Sequence, residues 1–215
     1  MLRARLDGVK EARLKSPTES VQEYASQPGL FTQDRQPGTD YFALPEVSSE
    51  NRRWIPGRFF TSETVAGNKL IIFPEAQPWH AALLQSSMFM AWVETFAGRL
   101  KSDISLSPGL AYFPVPWPIP NKNQKTSLVE AWRNVEDARA AYPASTLSEL
   151  YAEYAMPARL LKAHQSLDAV VDRLFSGRKK LSDNTERLKV LLTAYERMTT
   201  AGQLTIPKAR RRARN

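Results

Sequence analysis

The sequence predicts an α+β protein, in which a mixed strand/helix module is followed by an all-α C-terminal helical region. Three observations carry that reading. From Tyr41 the chain offers short runs rich in aromatic and β-branched residues, broken by Pro, Gly, Ser and Asn, the texture of strands about five residues long. One long apolar stretch at helical spacing interrupts those runs. Beyond a proline-rich segment, apolar residues return at intervals of three and four almost to the end, the period of amphipathic helices.

Residues 1–29 form an N-terminal helical lead-in: "MLRARLDGVKEARLKSPTESVQEYASQ" suits one or two short helices interrupted at Pro17 and carries too few apolar residues for a core of its own. Two Pro-Gly dipeptides in "QPGLFTQDRQPGTD" then favour turns. The mixed module spans 30–120, with strands expected in "YFALPEVSS", "RRWIPGRFF" and "NKLIIFP". Within it, "QPWHAALLQSSMFMAWVETFAGRL" reads as one helix, with Ala82, Leu83, Met90, Val93 and Phe96 on its apolar face and Gly98 as its stop. "GRLKSDISLS" follows as a strand. Lys101, Asp103, Ser105 and Ser107 alternate there with Ile104 and Leu106, so the polar set lies along one edge while the apolar pair anchors the other face in a core.

"YFPVPWPIPNKNQKTS" marks a boundary, because its prolines forbid continuous helix or interior strand. The helical region covers 121–200. Ser127 with Glu130 makes a capping box for a helix reaching Pro143, "TLSELYAEYA" supplies a second helix, and Pro157 fits the first turn of a third. That third helix presents Leu160, Leu161, Leu167, Val170, Val171 and Leu174 as one stripe and stops at Gly177. A last helix starts at an Asp or Asn cap in "DNTERLKVLLTAYERMTT". Residues 201–215 read as a basic disordered tail, with five basic residues in the nine of "PKARRRARN" and affinity for phosphate.

Composition narrows the chemistry. The 215 residues contain no cysteine and two histidines, which removes disulfides and thiolate zinc sites, and no metal site is expected. No run approaches the roughly 18 apolar residues of a membrane span, and the charged N-terminus is unlike a signal peptide; a cytoplasmic protein without a membrane partner is expected. With 30 Lys and Arg against 22 Asp and Glu, the net charge of +8 attracts polyanions at long range.

Signatures of catalysis are missing. The sequence has no Gly-x-Gly-x-x-Gly, no Walker loop and no Gly-x-Ser-x-Gly elbow. Amino-methyltransferases place Asn, Asp or Ser ahead of Pro-Pro-aromatic; "PVPW" at Pro114–Trp117 lacks such a residue. His80 and His164 are far apart and each falls in an expected helix, the pattern of ordinary partly buried or surface histidines. "SSENRRWIPGRFF" sets Arg52, Arg53 and Arg58 around Trp54 and Phe59, with Ser48, Ser49 and Asn51 as neutral donors. It fits a phosphate-contacting loop or a solvated arginine face beside a core tryptophan. The Lys101 and Asp103 pair is open in the same way. Lysine can donate to guanine O6 and N7 while aspartate accepts from cytosine N4, and a surface ion pair worth under about 1 kcal/mol explains the same residues.

"YFALPEVSSENRRWIP", "SSMFMAWVETFAGRLKSDISLS", "FPVPWP" and "EDARAAYPASTLSELYAEYAMPARLLKAHQSLDAVVDRLF" together resemble the C-terminal part of the MmeI-like type II restriction–modification DNA methyltransferases, over most of residues 30–180. That resemblance implies a target recognition module followed by the family's C-terminal helical region. Their large single chains join nuclease, helical spacer, adenine-N6 methyltransferase, target recognition domain and helical end. The implied partners are double-stranded DNA and the methyltransferase domain of a parent chain. S-adenosylmethionine is implied as cofactor for the parent, and no cofactor for this chain, which lacks the catalytic and cofactor-binding motifs. In the family, the places matching Lys101 and Asp103 hold a base with an acid, or the reverse, according to the orientation of a G·C pair. By the same alignment Ser105 and Lys69 bear on a neighbouring pair, Glu46 and Asn68 on another, and Arg52, Arg53 and Arg58 hold the DNA backbone. Two departures stand out: Phe113 with an inserted Pro-Val where the family often has Tyr-Asn before "FPWP", and only weak likeness over residues 1–30. The alternatives are a non-catalytic RNA-binding protein, supported by the charge and the tail, and a helical scaffold for a protein partner.

Overall fold

A computed structural model describes residues 2–32, 35–177 and 181–200. The chain divides into two compact units, Met1–Gly38 and Thr39–Asn215.

In the first unit, helix α1 (Leu2–Leu14) ends ahead of Pro17, and a short α2 (Glu19–Gln22) runs into a 3-10 turn at Glu23–Ser26. No residue of α1 is buried. What holds the turn is Arg13, whose guanidinium donates to the carbonyls of Tyr24 (2.8 Å), Gln27 (2.9 Å) and Leu30 (2.5 Å). One side chain thus ties together three carbonyls, of which those of Tyr24 and Gln27 also accept from the Gln27 and Leu30 amides.

The second unit holds two three-stranded antiparallel sheets and a helical layer. The first sheet has the order β3-β1-β4, with β1 at Tyr41–Pro45, β3 at Arg58–Phe60 and β4 at Leu70–Pro74. β1 is covered on both faces: Tyr41, Phe42, Ala43 and Leu44 are all buried. Phe42 packs on Phe59 and Phe73 across the strands and on the edge of Trp132 from the helical layer. Gly57 has to be glycine, since a Cβ there would lie 2.4 Å from Phe42 Cζ and 2.8 Å from the Ala43 carbonyl oxygen. The second sheet has the order β2-β6-β5, with β2 at Val47–Ser48, β5 at Gly98–Leu100 and β6 at Asp103–Ser105.

Several expected elements differ. The apolar stretch is two helices, α3 (Pro78–Leu84) and α4 (Ser87–Phe96), because Ser86 accepts from the Phe89 amide and caps a new helix. Of "RRWIPGRFF" only the end, Arg58–Phe60, enters β3, and the residues before it form a loop. "GRLKSDISLS" is a hairpin of β5 and β6 rather than one strand. Helix α5 (Lys122–Ala140) starts ahead of the Ser127 capping box, at Asn121, which forms a box with Gln124. "TLSELYAEYA" gives one helical turn, α6 (Leu147–Leu150), capped by Thr146 and Glu149. Pro157 is the cap of α7 (Ala158–Ser176), and Gly177 takes a left-handed φ of 69° at its end. Helix α8 spans Asn184–Thr200, with Asp183 accepting from the Glu186 amide. The expected basic tail lies outside the described residues.

The proline-rich connector does not separate two cores. After a π-helical turn at Pro108–Tyr112, the chain leads into α5, which packs on both α3 and α7, while α4 packs on α7 and α8. One apolar cluster runs from Phe42, Leu44 and Ile104 through Leu128, Trp132 and Val135 to Leu160, Leu167 and Val171. Arg187 fixes α8 on α7 with a bidentate pair to Asp172, both bonds 2.9 Å and both side chains buried. Asp172 also accepts from the Leu181 amide, and these added bonds are what make a buried ion pair tolerable.

Candidate nucleic-acid interface

The hairpin of β5 and β6 sets the geometry of the site. Its two strands are joined by Lys101 and Ser102 alone, and Lys101 takes a left-handed φ of 59°. A lysine there has a Cβ close to the following carbonyl, so the turn carries strain that glycine would avoid. Below the turn, Ile104 and Leu106 are buried while Asp103 and Ser105 are half-buried on the opposite face, as strand alternation requires. The expected placement therefore needs correction at two points. Lys101 belongs to the turn instead of the strand, and the run is two strands instead of one, with β6 at the centre of its sheet, paired with β2 and β5 on its two sides. Lys101 and Asp103 nonetheless share one exposed tip.

Arg99 braces that tip, a role the sequence did not suggest. Its guanidinium donates to the Ser102 carbonyl in the turn (3.1 Å) and to the Glu94 carbonyl in the last turn of α4 (2.9 Å). A cation over the carbonyl end of a helix is favourable, and the planar fork lets it hold the hairpin at the same time.

The other candidates continue the same row. Val47 faces Ser105 in register, the Leu106 amide donates to the Glu46 carbonyl (2.7 Å), and the Glu46 amide donates to the Lys69 carbonyl (2.8 Å). Glu46 therefore stitches the two sheets together. Its carboxylate takes an ion pair from Lys69 at 3.2 Å, so Glu46 and Lys69 are direct partners. Asn68 is exposed beside them in the turn that precedes β4. Asp103, Ser105, Glu46 and Lys69 thus follow one another along a hydrogen-bonded path that starts at the Lys101 tip, with Asn68 next to Lys69 in the chain.

Arg53 and Arg58 are exposed, whereas Arg52 is half-buried and donates to Ser148 Oγ of α6 at 3.1 Å. Ser48, expected as a surface donor, is buried opposite Ile104. Trp54 anchors the loop: its ring stacks on His164 at 4.5 Å and its Nε1 donates to the Asp168 carboxylate at 3.2 and 3.3 Å. Asp168 also accepts from the Ser87 amide (2.7 Å) and hydroxyl (2.6 Å). Burial still raises its pKa, with the Ser87 bonds opposing.

A second buried network lies next to it. The Gln85 side-chain amide pairs with the Gly57 peptide, accepting at 3.1 Å and donating at 3.4 Å. Arg139 donates to Gln85, to the Gly57 carbonyl, to Glu136 and to the Tyr151 hydroxyl. Because Arg139 fills the acceptor side of that hydroxyl, Tyr151 gives its own proton to His164 Nε2, 2.5 Å away. The imidazole is then neutral. Burial and the nearby Arg139 charge hold the His164 pKa well below its ordinary value, and burial pushes Tyr151 up to about 12. A signal for this was present: His164, Asp168 and Asp172 sit at spacings of four along α7 on its buried face, where a polar residue must find a partner.

Among the described residues no group of three or more His, Cys, Asp or Glu is placed to hold a metal, and no helix is long and apolar enough to cross a membrane. An aromatic-walled groove of about 480 Å³ opens between β4, α3 and the connector, lined by Phe73, Trp79, Tyr112 and Trp117. Its lining has one carboxylate, Glu75.

Residues 1–119 match the family described as MmeI, target recognition domain, and residues 119–202 match MmeI, C-terminal domain. The chain belongs to the MmeI target recognition family. DNA methyltransferase A of Bacillus subtilis (strain 168) is 35% identical over 200 residues, which is 93% of this chain and 22% of that protein. A solved structure of the Type IIL restriction-modification enzyme MmeI in complex with DNA superimposes with a TM-score of 0.87 at 38% identity, over 93% of this chain and 26% of that one. This member of the family therefore spans about a quarter or less of the relatives it matches. The meeting point of the two family regions falls in the proline-rich connector, although the core crosses it.

Proposed function

We propose that this chain is the DNA-reading part of a restriction–modification DNA methyltransferase and that it reads duplex DNA in the major groove. The observation that carries the reading is the exposed tip bearing Lys101 and Asp103, in a chain whose fold matches a protein solved in complex with DNA. A major groove admits a two-stranded β-ribbon, and there lysine donates to guanine O6 and N7 while aspartate accepts from cytosine N4. Ser105 and Lys69 address a neighbouring base pair, and Glu46 and Asn68 another. Arg52, Arg53 and Arg58 hold phosphates and set the register without reading sequence. Methylation at adenine N6 and the S-adenosylmethionine it consumes belong to the methyltransferase region of a longer parent chain in the cytoplasm; this chain directs that region to its site.

The test is selection of duplexes from a randomised library by the 215-residue chain, beside a variant carrying both Lys101→Glu and Asp103→Arg. One position of the selected motif should change from one G·C orientation to the other. An unchanged motif with undiminished binding would overturn the assignment and leave Lys101 and Asp103 as surface charges.

A further inference from the structure

The tip is a hairpin, so whatever β6 presents to the groove, β5 must present alongside it. Residues directly opposite each other in an antiparallel pair point to the same face, with Cβ atoms about 5 Å apart. Asp103 faces Leu100 in register, and Ser105 faces Gly98. Leu100 therefore stands on the reading face next to Asp103, with 58% of its surface exposed. It sits one residue before the Lys101 turn, whose carbonyl side Arg99 clamps to α4. Gly98, opposite Ser105, carries no side chain, so on this face Leu100 is the bulky member of β5.

Major-groove base edges are polar with one exception, the C5 methyl group of thymine. A separation of about 5 Å between Leu100 and Asp103, set against a rise of about 3.4 Å per base pair, puts Leu100 one to two pairs from the G·C pair read at the tip. We propose that Leu100 contacts the C5 methyl of a thymine one or two base pairs from that G·C pair, and so fixes an A·T pair in the recognised site. The inference rests on the major-groove reading given above.

Deoxyuridine lacks only that methyl, which allows a test from the DNA side with the protein unaltered. The full chain first selects its motif from a randomised duplex library. Each thymine of the selected site is then replaced in turn by deoxyuridine. One replacement, within two pairs of the G·C pair that Lys101→Glu with Asp103→Arg inverts, should weaken binding about fourfold, the effect of one buried methyl group. Leu100→Ala should bind the thymine and deoxyuridine duplexes equally, and Leu100→Met, which keeps an apolar tip, should retain the difference. Wild-type protein indifferent to every replacement, or Leu100→Ala that still tells thymine from deoxyuridine, would overturn the proposal. If the chain selects no motif at all, the major-groove reading falls first and the thymine contact with it.

Discussion

Replacing Lys101 with glycine should separate stability from recognition. The left-handed φ of 59° at Lys101 costs an L-residue about 1–2 kcal/mol, and glycine removes that cost while adding about 0.5–1 kcal/mol of backbone entropy to lose on folding. The lysine side chain is exposed, so little packing is lost with it. The expected net effect is a stabilisation of up to about 1.5 kcal/mol, which raises Tm by at most about 3–6 °C in a domain of this size. Binding should move the other way, because a well-made contact to guanine is worth about 1–3 kcal/mol of discrimination. Scanning calorimetry would be set beside binding to duplexes that differ at that one G·C pair. Lys101→Asn, which tolerates the left-handed region, should behave alike on both measures. A fall in Tm of more than about 2 °C for Lys101→Gly would refute the strain argument, since it would mean that the lysine supports the turn it was taken to strain.

Further expectations concern the supporting structure. Gly57→Ala pushes a methyl against Phe42 and the Ala43 carbonyl and should lower stability by about 1–3 kcal/mol in denaturant titration. His164 has a depressed pKa in the folded protein, so below its ordinary value the unfolded chain takes up the proton first. Its contribution is complete above about pH 6.5 and declines as the pH falls below that; Tm at pH 8 and pH 5.5 should differ less in His164→Gln than in the wild type. Arg53→Gln should weaken binding to all duplexes alike and reduce the slope of log affinity against log salt by about 0.9, the loss of one phosphate contact.

The parts of the fold that were legible in the sequence are those written in local periodicity. The stripe of α7 from Leu160 to Val171 and the stop at Gly177 follow directly from spacing and glycine. The hairpin was hidden because its turn uses Lys101 and Ser102 where Asn or Gly would have advertised a positive φ, so unbroken alternation read as one strand. The break between α3 and α4 was hidden for a related reason: Ser86 caps a helix among apolar residues on both sides, with neither proline nor glycine to mark it. At the candidate site, residue types and family resemblance picked out Lys101, Asp103, Glu46 and Lys69 as candidates. That Glu46 and Lys69 pair with each other and join two sheets depends on the register between β1 and β4. The Trp54 bond to Asp168 spans 114 residues, beyond the reach of any local pattern.

That bond, with the one between Arg52 and Ser148, limits how such a protein can be re-engineered. A cassette exchange that cuts in the connector near residue 119 would transplant the arginine loop without the helices that seat it. It would leave the buried carboxylate of Asp168 without its indole partner. The tip is the opposite case, since the Lys101 side chain is exposed and Asp103 and Ser105 point away from the core. On the proposed reading, new specificity is to be sought by point substitution at the tip, on an unbroken interior, with the recognition module and its helical end kept together.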